Sequence, residues 1–276
     1  YKVDDVFLKM SSDKYFIKNR IDRADNLNDL VPSLIYKGET LYSYKWVDGS
    51  TLYNCNDIDV WTEFLNFMKD KMWKPLSVDI KKDCLKFYKD KTRDRLDKFL
   101  SVRDESYLEE HIVNGGKVQT IESLLYNFDW DSLSDGIPTK LFHGDLQFDN
   151  VIYTEDRDFC LLDWRQDFAG KDIGDVYYDL SKMYGGILMS YKLMKESSNF
   201  SCYVDDEMVT YDYKSESKLD KFRLVYEKWI VDSGYNLDKV KTITSLIFLN
   251  MAPLHEKEFG DLLFFKSKQM LQELND

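Results

Sequence analysis

Long hydrophobic runs are missing from this 276-residue chain. No apolar stretch reaches the roughly 18–20 residues that a bilayer-spanning helix needs. The longest candidate, Ser245 to Leu254, is interrupted by Asn250 and Pro253. No basic segment followed by an apolar one opens the sequence, so a secretory leader is not expected. Cysteine is scarce: Cys55, Cys84, Cys160 and Cys202 form no C-x-x-C pair and none lies near a histidine at zinc spacing. That excludes a disulfide scaffold and a zinc ribbon, and predicts reduced, mostly buried thiols in a cytoplasmic protein. Positive charge is in deficit, 38 Lys+Arg against 50 Asp+Glu, for a net charge of −12. Such a balance argues against nucleic acid or an anionic membrane surface as partner, and membrane insertion is not expected. Small metabolites fit it better. Internal repeats and low-complexity segments are absent as well.

What is present is the composition of a folded chain, 43% apolar and 15% aromatic, long enough for one large domain or two lobes. The first fifty residues have strand character. Val6–Met10 is a short apolar run carrying one lysine, and Leu34-Ile35-Tyr36 and Leu41–Val47 flank the turn Lys37-Gly38-Glu39-Thr40. Between them Ser12 could cap a helix with apolar positions Ile17, Ile21, Ala24 and Leu27, and Pro32 marks its exit. A second reading makes Tyr15–Lys18 a strand. Beyond Gly49 the periodicity turns helical: Trp61, Phe64, Leu65 and Met68 share one face. Further stripes run from Leu85 to Phe99, Val176 to Tyr191, Phe222 to Ile230 and Leu263 to Leu274. Each such stripe is read as core.

One stretch breaks the helical pattern. The apolar runs Val151-Ile152-Tyr153 and Phe159-Cys160-Leu161-Leu162 are separated by polar residues, which predicts a hairpin. Before it stands His143-Gly144-Asp145, with Asn150 five residues after the aspartate; after it stands Asp163. A hairpin from Asn150 to Asp163 brings an amide and a carboxylate side by side. Magnesium takes hard oxygen ligands, one or two from protein and the rest from phosphate and water. Asp145, in the same loop, could orient or deprotonate an attacking hydroxyl. Together these residues make the metal-and-base half of a phosphoryl-transfer site.

The spacing Asp-x-x-x-x-Asn is that of the kinase catalytic loop, with glycine in place of arginine between His143 and Asp145, and Asp163-Trp164 stands where protein kinases have Asp-Phe-Gly. The whole set, HGDLQFDNVIY followed by LLDW, resembles the aminoglycoside phosphotransferase and choline kinase superfamily. Gly174-Asp175 and Asp179-Leu180 match that family's GD…DL element, Val31–Leu34 its strand entry and Tyr44–Gly49 its hinge. The resemblance implies an α+β, protein-kinase-like, two-lobed fold. A small antiparallel β lobe, shortened at its start, occupies 1–47 with the hinge. A mostly helical lobe occupies 48–276, with the catalytic loop 143–150 and Asp163. It further implies ATP and Mg2+ as cofactors. Asp145 would be the catalytic base, Asn150 and Asp163 the metal ligands, and His143 a brace of the loop. Asp175 would hydrogen-bond the loop's backbone. Lys9 would be the phosphate lysine, with Lys18 the alternative under the two-strand reading, and Asp22 or Asp25 its acidic helix partner. Lys45, Trp46 and Val47 would meet the adenine.

The sequence departs from that family at its start. Only eight residues precede Lys9, and neither G-x-G-x-x-G nor G-x-x-x-x-G-K-[ST] occurs. A shortened lobe or a fused upstream domain would account for that. The implied activity is transfer of the ATP γ-phosphoryl group to a hydroxyl of a small-molecule alcohol. The acidic balance suits an amino alcohol such as choline or ethanolamine, with Asp167, Trp164, Tyr177 and the stretch Tyr203 to Tyr211 as candidate contacts. Arg165 and Lys171 suit a sugar phosphate or another anion. The 162–165 and 175–180 stretches resemble bacterial kinases of cell-envelope precursors. An aminoglycoside-modifying kinase and a nucleotide-binding pseudokinase-like module are the alternatives.

Overall fold

Strands in the first fifty residues follow from alternating apolar side chains that need one buried face. The computed structural model describes residues 1–126, 128–156 and 158–276, and the chain divides into two compact units. The first comprises Tyr1–Ile80 and Ile137–Met183, the second Lys81–Gly136 and Tyr184–Asp276. The lobe boundary expected at residue 47 falls inside the first unit, two residues after the sheet strand Leu41–Lys45.

In the first unit four antiparallel strands lie in the order Lys2–Val3, Val6–Met10, Leu41–Lys45, Leu34–Lys37. Lys9 sits opposite Tyr42 and Phe7 opposite Tyr44, so all four side chains share one face. Phe7 stacks on Tyr44 at 5.4 Å, and Tyr42 lies 5.8 Å from the buried Trp164. Helix Lys14–Leu27 connects two of these strands. Its cap is Asp13, whose carboxylate accepts from Phe16 N at 3.1 Å, and not Ser12. The strand reading of Tyr15–Lys18 is overturned, because these residues form the helix's first turns. Helix Ile58–Phe67 buries Trp61 and Phe64 against Phe148 and Phe159, at 4.6 and 5.1 Å between rings. Those aromatics buttress the hairpin Val151–Tyr153/Phe159–Leu161, to which Ser50–Thr51 adds a third strand.

The second unit holds helices Lys91–Leu100, Ser217–Asp232, Leu237–Met251 and Lys257–Asn275, as the apolar stripes predict for three of them. It also holds a four-stranded sheet that a helical lobe does not lead one to expect, ordered Phe200–Asp205, Met208–Tyr213, His111–Val113, Gly116–Val118. The candidate acceptor-binding stretch around Asp205-Asp206-Glu207 is the turn of the first hairpin. Tyr203 pairs with Thr210 and Tyr211 with Cys202, so the two tyrosines lie on opposite faces of the hairpin, one exposed and one buried, and cannot form one aromatic cage. All four cysteines are free thiols, with Cys84 buried and the other three half-buried. Among the described residues no helix is long and apolar enough to cross a membrane.

Candidate active site

The hairpin carries Asn150 to Asp163 as expected, since Leu162 N donates to Asn150 O at 2.7 Å where the two strands meet. The Asn150 amide is oriented by its own bond: Nδ2 donates to Asp145 O at 2.8 Å, leaving Oδ1 without a partner among the described residues. An amide oxygen and a carboxylate are a donor set that fits a hard divalent cation. Among the described residues no three His, Cys, Asp or Glu side chains gather as a metal site, so the remaining oxygens would have to come from phosphate and water.

Asp163 adopts a left-handed conformation, φ +59°. Lys9 Nζ contacts its Oδ1, and Arg20 Nη1 reaches the same oxygen at 3.1 Å. Lys9, chosen from sequence because it stands on a strand, is thus brought to Asp163. Lys18 is not: it pairs with Asp22 on the exposed side of the helix. The expected acidic partner of the phosphate lysine is also overturned, because Asp25 pairs with Lys37 at 2.6 Å and Asp22 with Lys18.

The loop 143–150 is anchored from beneath. His143 is fully buried; its Nε2 donates to Leu162 O at 2.8 Å and its Nδ1 accepts from Asp145 N at 3.2 Å. Burial lowers its pKa to about 4, so the ring is neutral at physiological pH and acts as a brace. Glycine precedes Asp145 for a steric reason. At φ +81° an added Cβ at Gly144 would stand 2.5 Å from Arg165 Cβ. The backbone of the loop is held by Asp179, whose carboxylate accepts from His143 N at 2.7 Å, Gly144 N at 2.6 Å and Trp73 Nε1 at 3.1 Å. This corrects the role expected of Asp175. That carboxylate accepts instead from Ile137 N at 2.8 Å and Tyr177 N at 3.1 Å, capping the helix Val176–Leu188 and tying it to the strand Pro138–Thr139 that leads into the loop.

Asp145 meets a residue that sequence reasoning missed. Lys182 Nζ lies 2.8 Å from its Oδ1, and the lysine side chain is only 9% exposed against 39% for the aspartate. Gln147 Nε2 reaches the same oxygen at 3.5 Å, which leaves Oδ2 without a partner among the described residues. Burial alone would raise the Asp145 pKa; the Lys182 ammonium overcomes that and holds it below its usual value. Lys182, Arg20 and Asp179 lie far from the loop in sequence. Only Asp179 carried a signal, as part of the GD…DL element.

At the hinge, Trp46 N donates to Asp5 O at 2.7 Å and is already engaged, while Lys45 pairs with Val6 at the strand's end. Val47 N has no hydrogen-bond partner among the described residues. Trp164, offered above as an acceptor contact, is fully buried, its Nε1 donating to Arg20 O at 2.8 Å.

No protein-family model matches the chain, and no curated protein matches it. Solved structures do. Aminoglycoside phosphotransferase APH(2'')-Ib with ADP bound gives a TM-score of 0.52 at 16% identity, over 99% of this chain and 90% of its own. The gentamicin complex of APH(2'')-IIa gives 0.54 at 15% identity, over 96% and 84%. The chain has the protein-kinase-like fold. In this protein-kinase-like chain the four-stranded sheet bearing Lys9 and the hairpin after Asn150 fall in the same compact unit. A choline kinase from Cryptosporidium parvum Iowa II gives 0.47 at 14% identity, over 98% and 83%.

Proposed function

We propose that the chain is an ATP- and magnesium-dependent phosphotransferase. It moves the γ-phosphoryl group of ATP to a hydroxyl of a small molecule, an amino alcohol such as choline or ethanolamine or a sugar used in cell-surface polysaccharide. The observation that carries this reading is the meeting of Lys9 with Asp163, two residues on separate elements, beside the Asp145 and Asn150 of one loop. Nothing in local spacing requires that meeting, and a phosphoryl-transfer site needs its phosphate-binding lysine and its metal-binding aspartate close together.

Asn150 and Asp163 would hold magnesium, which neutralises charge on the phosphate oxygens. Asp145 Oδ2 receives the acceptor hydroxyl and takes its proton as the bond to phosphorus forms. Lys182 fixes Oδ1, so the carboxylate presents one oxygen in one direction. Val47 N offers the adenine a hydrogen bond. The aminoglycoside phosphotransferases among the structural neighbours support a second acceptor class, the aminoglycosides.

The test is mass spectrometry of a pool of choline, ethanolamine, aminoglycosides, sugars and polyols after incubation with Mg-ATP, with Asp145→Ala beside the wild type. A phosphorylated product formed only by the wild type is expected and names the acceptor class. A wild-type chain that neither binds Mg-ATP nor modifies any member of the pool refutes the reading.

A further inference from the structure

Two cations converge on one oxygen of Asp163. Lys9 Nζ and Arg20 Nη1 both contact Oδ1, and no acidic side chain of the helix Lys14–Leu27 reaches Lys9. Resting on the kinase reading above, we propose that Arg20 is a second phosphate-binding cation, which joins Lys9 in a clamp on the triphosphate of the nucleotide.

Three features of Arg20 carry this. Its side chain is 13% exposed, its guanidinium lies over the Phe16 ring at 4.6 Å, and Nη1 stands 3.5 Å from the Tyr42 hydroxyl. Its buried Nε has no hydrogen-bond partner among the described residues. An orphaned N–H in a buried guanidinium is a donor awaiting an acceptor. Arg20 is also pinned where it stands, because Trp164, the residue after Asp163, donates to its carbonyl at 2.8 Å. Arg23, one turn on, is buried at the foot of the same helix. It donates to the carbonyls of Lys140 at 2.7 Å, Arg165 and Asp172 at 3.4 Å, and Phe142. The helix is therefore tied to the segments on either side of the hairpin, so the Arg20 side chain can exchange partners while its backbone stays in place.

The exchange follows from charge. An oxygen that ligates a divalent cation cannot also sit against an ammonium and a guanidinium. As magnesium takes Asp163, the two side chains turn to phosphate oxygens, where the guanidinium fork can bind bidentately and use Nε. An acidic side chain on the helix would hold Lys9 and add no phosphate contact of its own; Arg20 adds one.

Calorimetry of the full chain with Mg-ATP, Mg-ADP and adenosine tests the clamp. Arg20→Met is expected to weaken Mg-ATP binding by about 10- to 100-fold, the worth of a charge-assisted contact, and to leave adenosine binding unchanged. Arg20→Lys, which keeps the charge and loses the fork, is expected to fall between, and it carries the test alone if Arg20→Met does not fold. Equal Mg-ATP affinity in the wild type and the folded variants overturns the clamp, as does an equal loss for adenosine, which marks a structural role. A wild type that binds no nucleotide overturns the kinase reading with it; normal wild-type binding that Arg20 does not affect overturns the clamp alone.

Discussion

Asp179 offers the sharpest stability prediction, because its carboxylate is fully buried and accepts three hydrogen bonds that close the loop before Asp145. Asp179→Ala leaves the His143 and Gly144 amides and the Trp73 indole N–H without acceptors. Hydrogen bonds to a charged group contribute about 1.5–3 kcal/mol each, so the gross loss is about 4–9 kcal/mol. Against this stands the cost of burying the charge. Burial, opposed by those donors, raises the Asp179 pKa from 3.8 to about 6, which corresponds to about 3 kcal/mol against the ionised form. That figure is already net of the three donors, so the loss expected for Asp179→Ala in urea unfolding at pH 7 is set by the donors left unpaired, about 1–3 kcal/mol for the first and less for any that water can reach, or about 2–4 kcal/mol together. The pH dependence has a definite sign. Since the folded state binds the proton more tightly than the unfolded chain, this group's contribution grows as pH falls from about 6 towards 4, opposite to an ordinary ion-paired carboxylate. Wild-type advantage over Asp179→Ala should therefore be larger at pH 5 than at pH 7, by about 1 kcal/mol. A loss below about 1 kcal/mol at pH 7, or an advantage that shrinks on acidification, refutes this account of the loop.

Asp145→Asn is expected to lower turnover by about 10²- to 10⁴-fold while Mg-ATP affinity stays within error, and full retention of activity would remove the base from Asp145. Gly144→Ala sets a side chain at φ +81° against Arg165 and should cost about 1–3 kcal/mol in urea unfolding, an effect that wild-type stability would contradict.

The hairpin and the Asn150 and Asp163 at its ends were legible because their signals are local: two short apolar runs, a polar turn, and an oxygen-bearing side chain at each end. Lys9 was legible for a similar reason, as the lysine inside the apolar strand run Val6–Met10. Asp175 and Asp179 were not separable by spacing. What separates them is helix phase: Asp175 stands just before the helix and spends its carboxylate on the cap, while Asp179 lies one turn in and faces the loop. The cap was readable in principle, since aspartate before a helix commonly takes that part. The sheet of the second unit left one overlooked mark, Asn114-Gly115. These residues turn the His111–Val118 hairpin with φ values of 49° and 85°, the mirror-image geometry that this dipeptide favours. Its parallel pairing of Met208 with Ile112 joins residues too distant for any local signal.

Net charge says little about a ligand, because it sums a whole surface while a site is decided by a few groups. A chain of net charge −12 sets Lys9 and Arg20 on Asp163 and a buried Lys182 on Asp145. The last of these bears on the base. Burial alone would raise the Asp145 pKa, and the Lys182 ammonium holds it down. Lys182→Met is therefore expected to move the acidic limb of the kcat/KM profile to higher pH, while Lys182→Arg, which keeps the charge, stays near the wild type. An acidic limb that Lys182→Met leaves unmoved would show that the lysine does not set the charge state of Asp145.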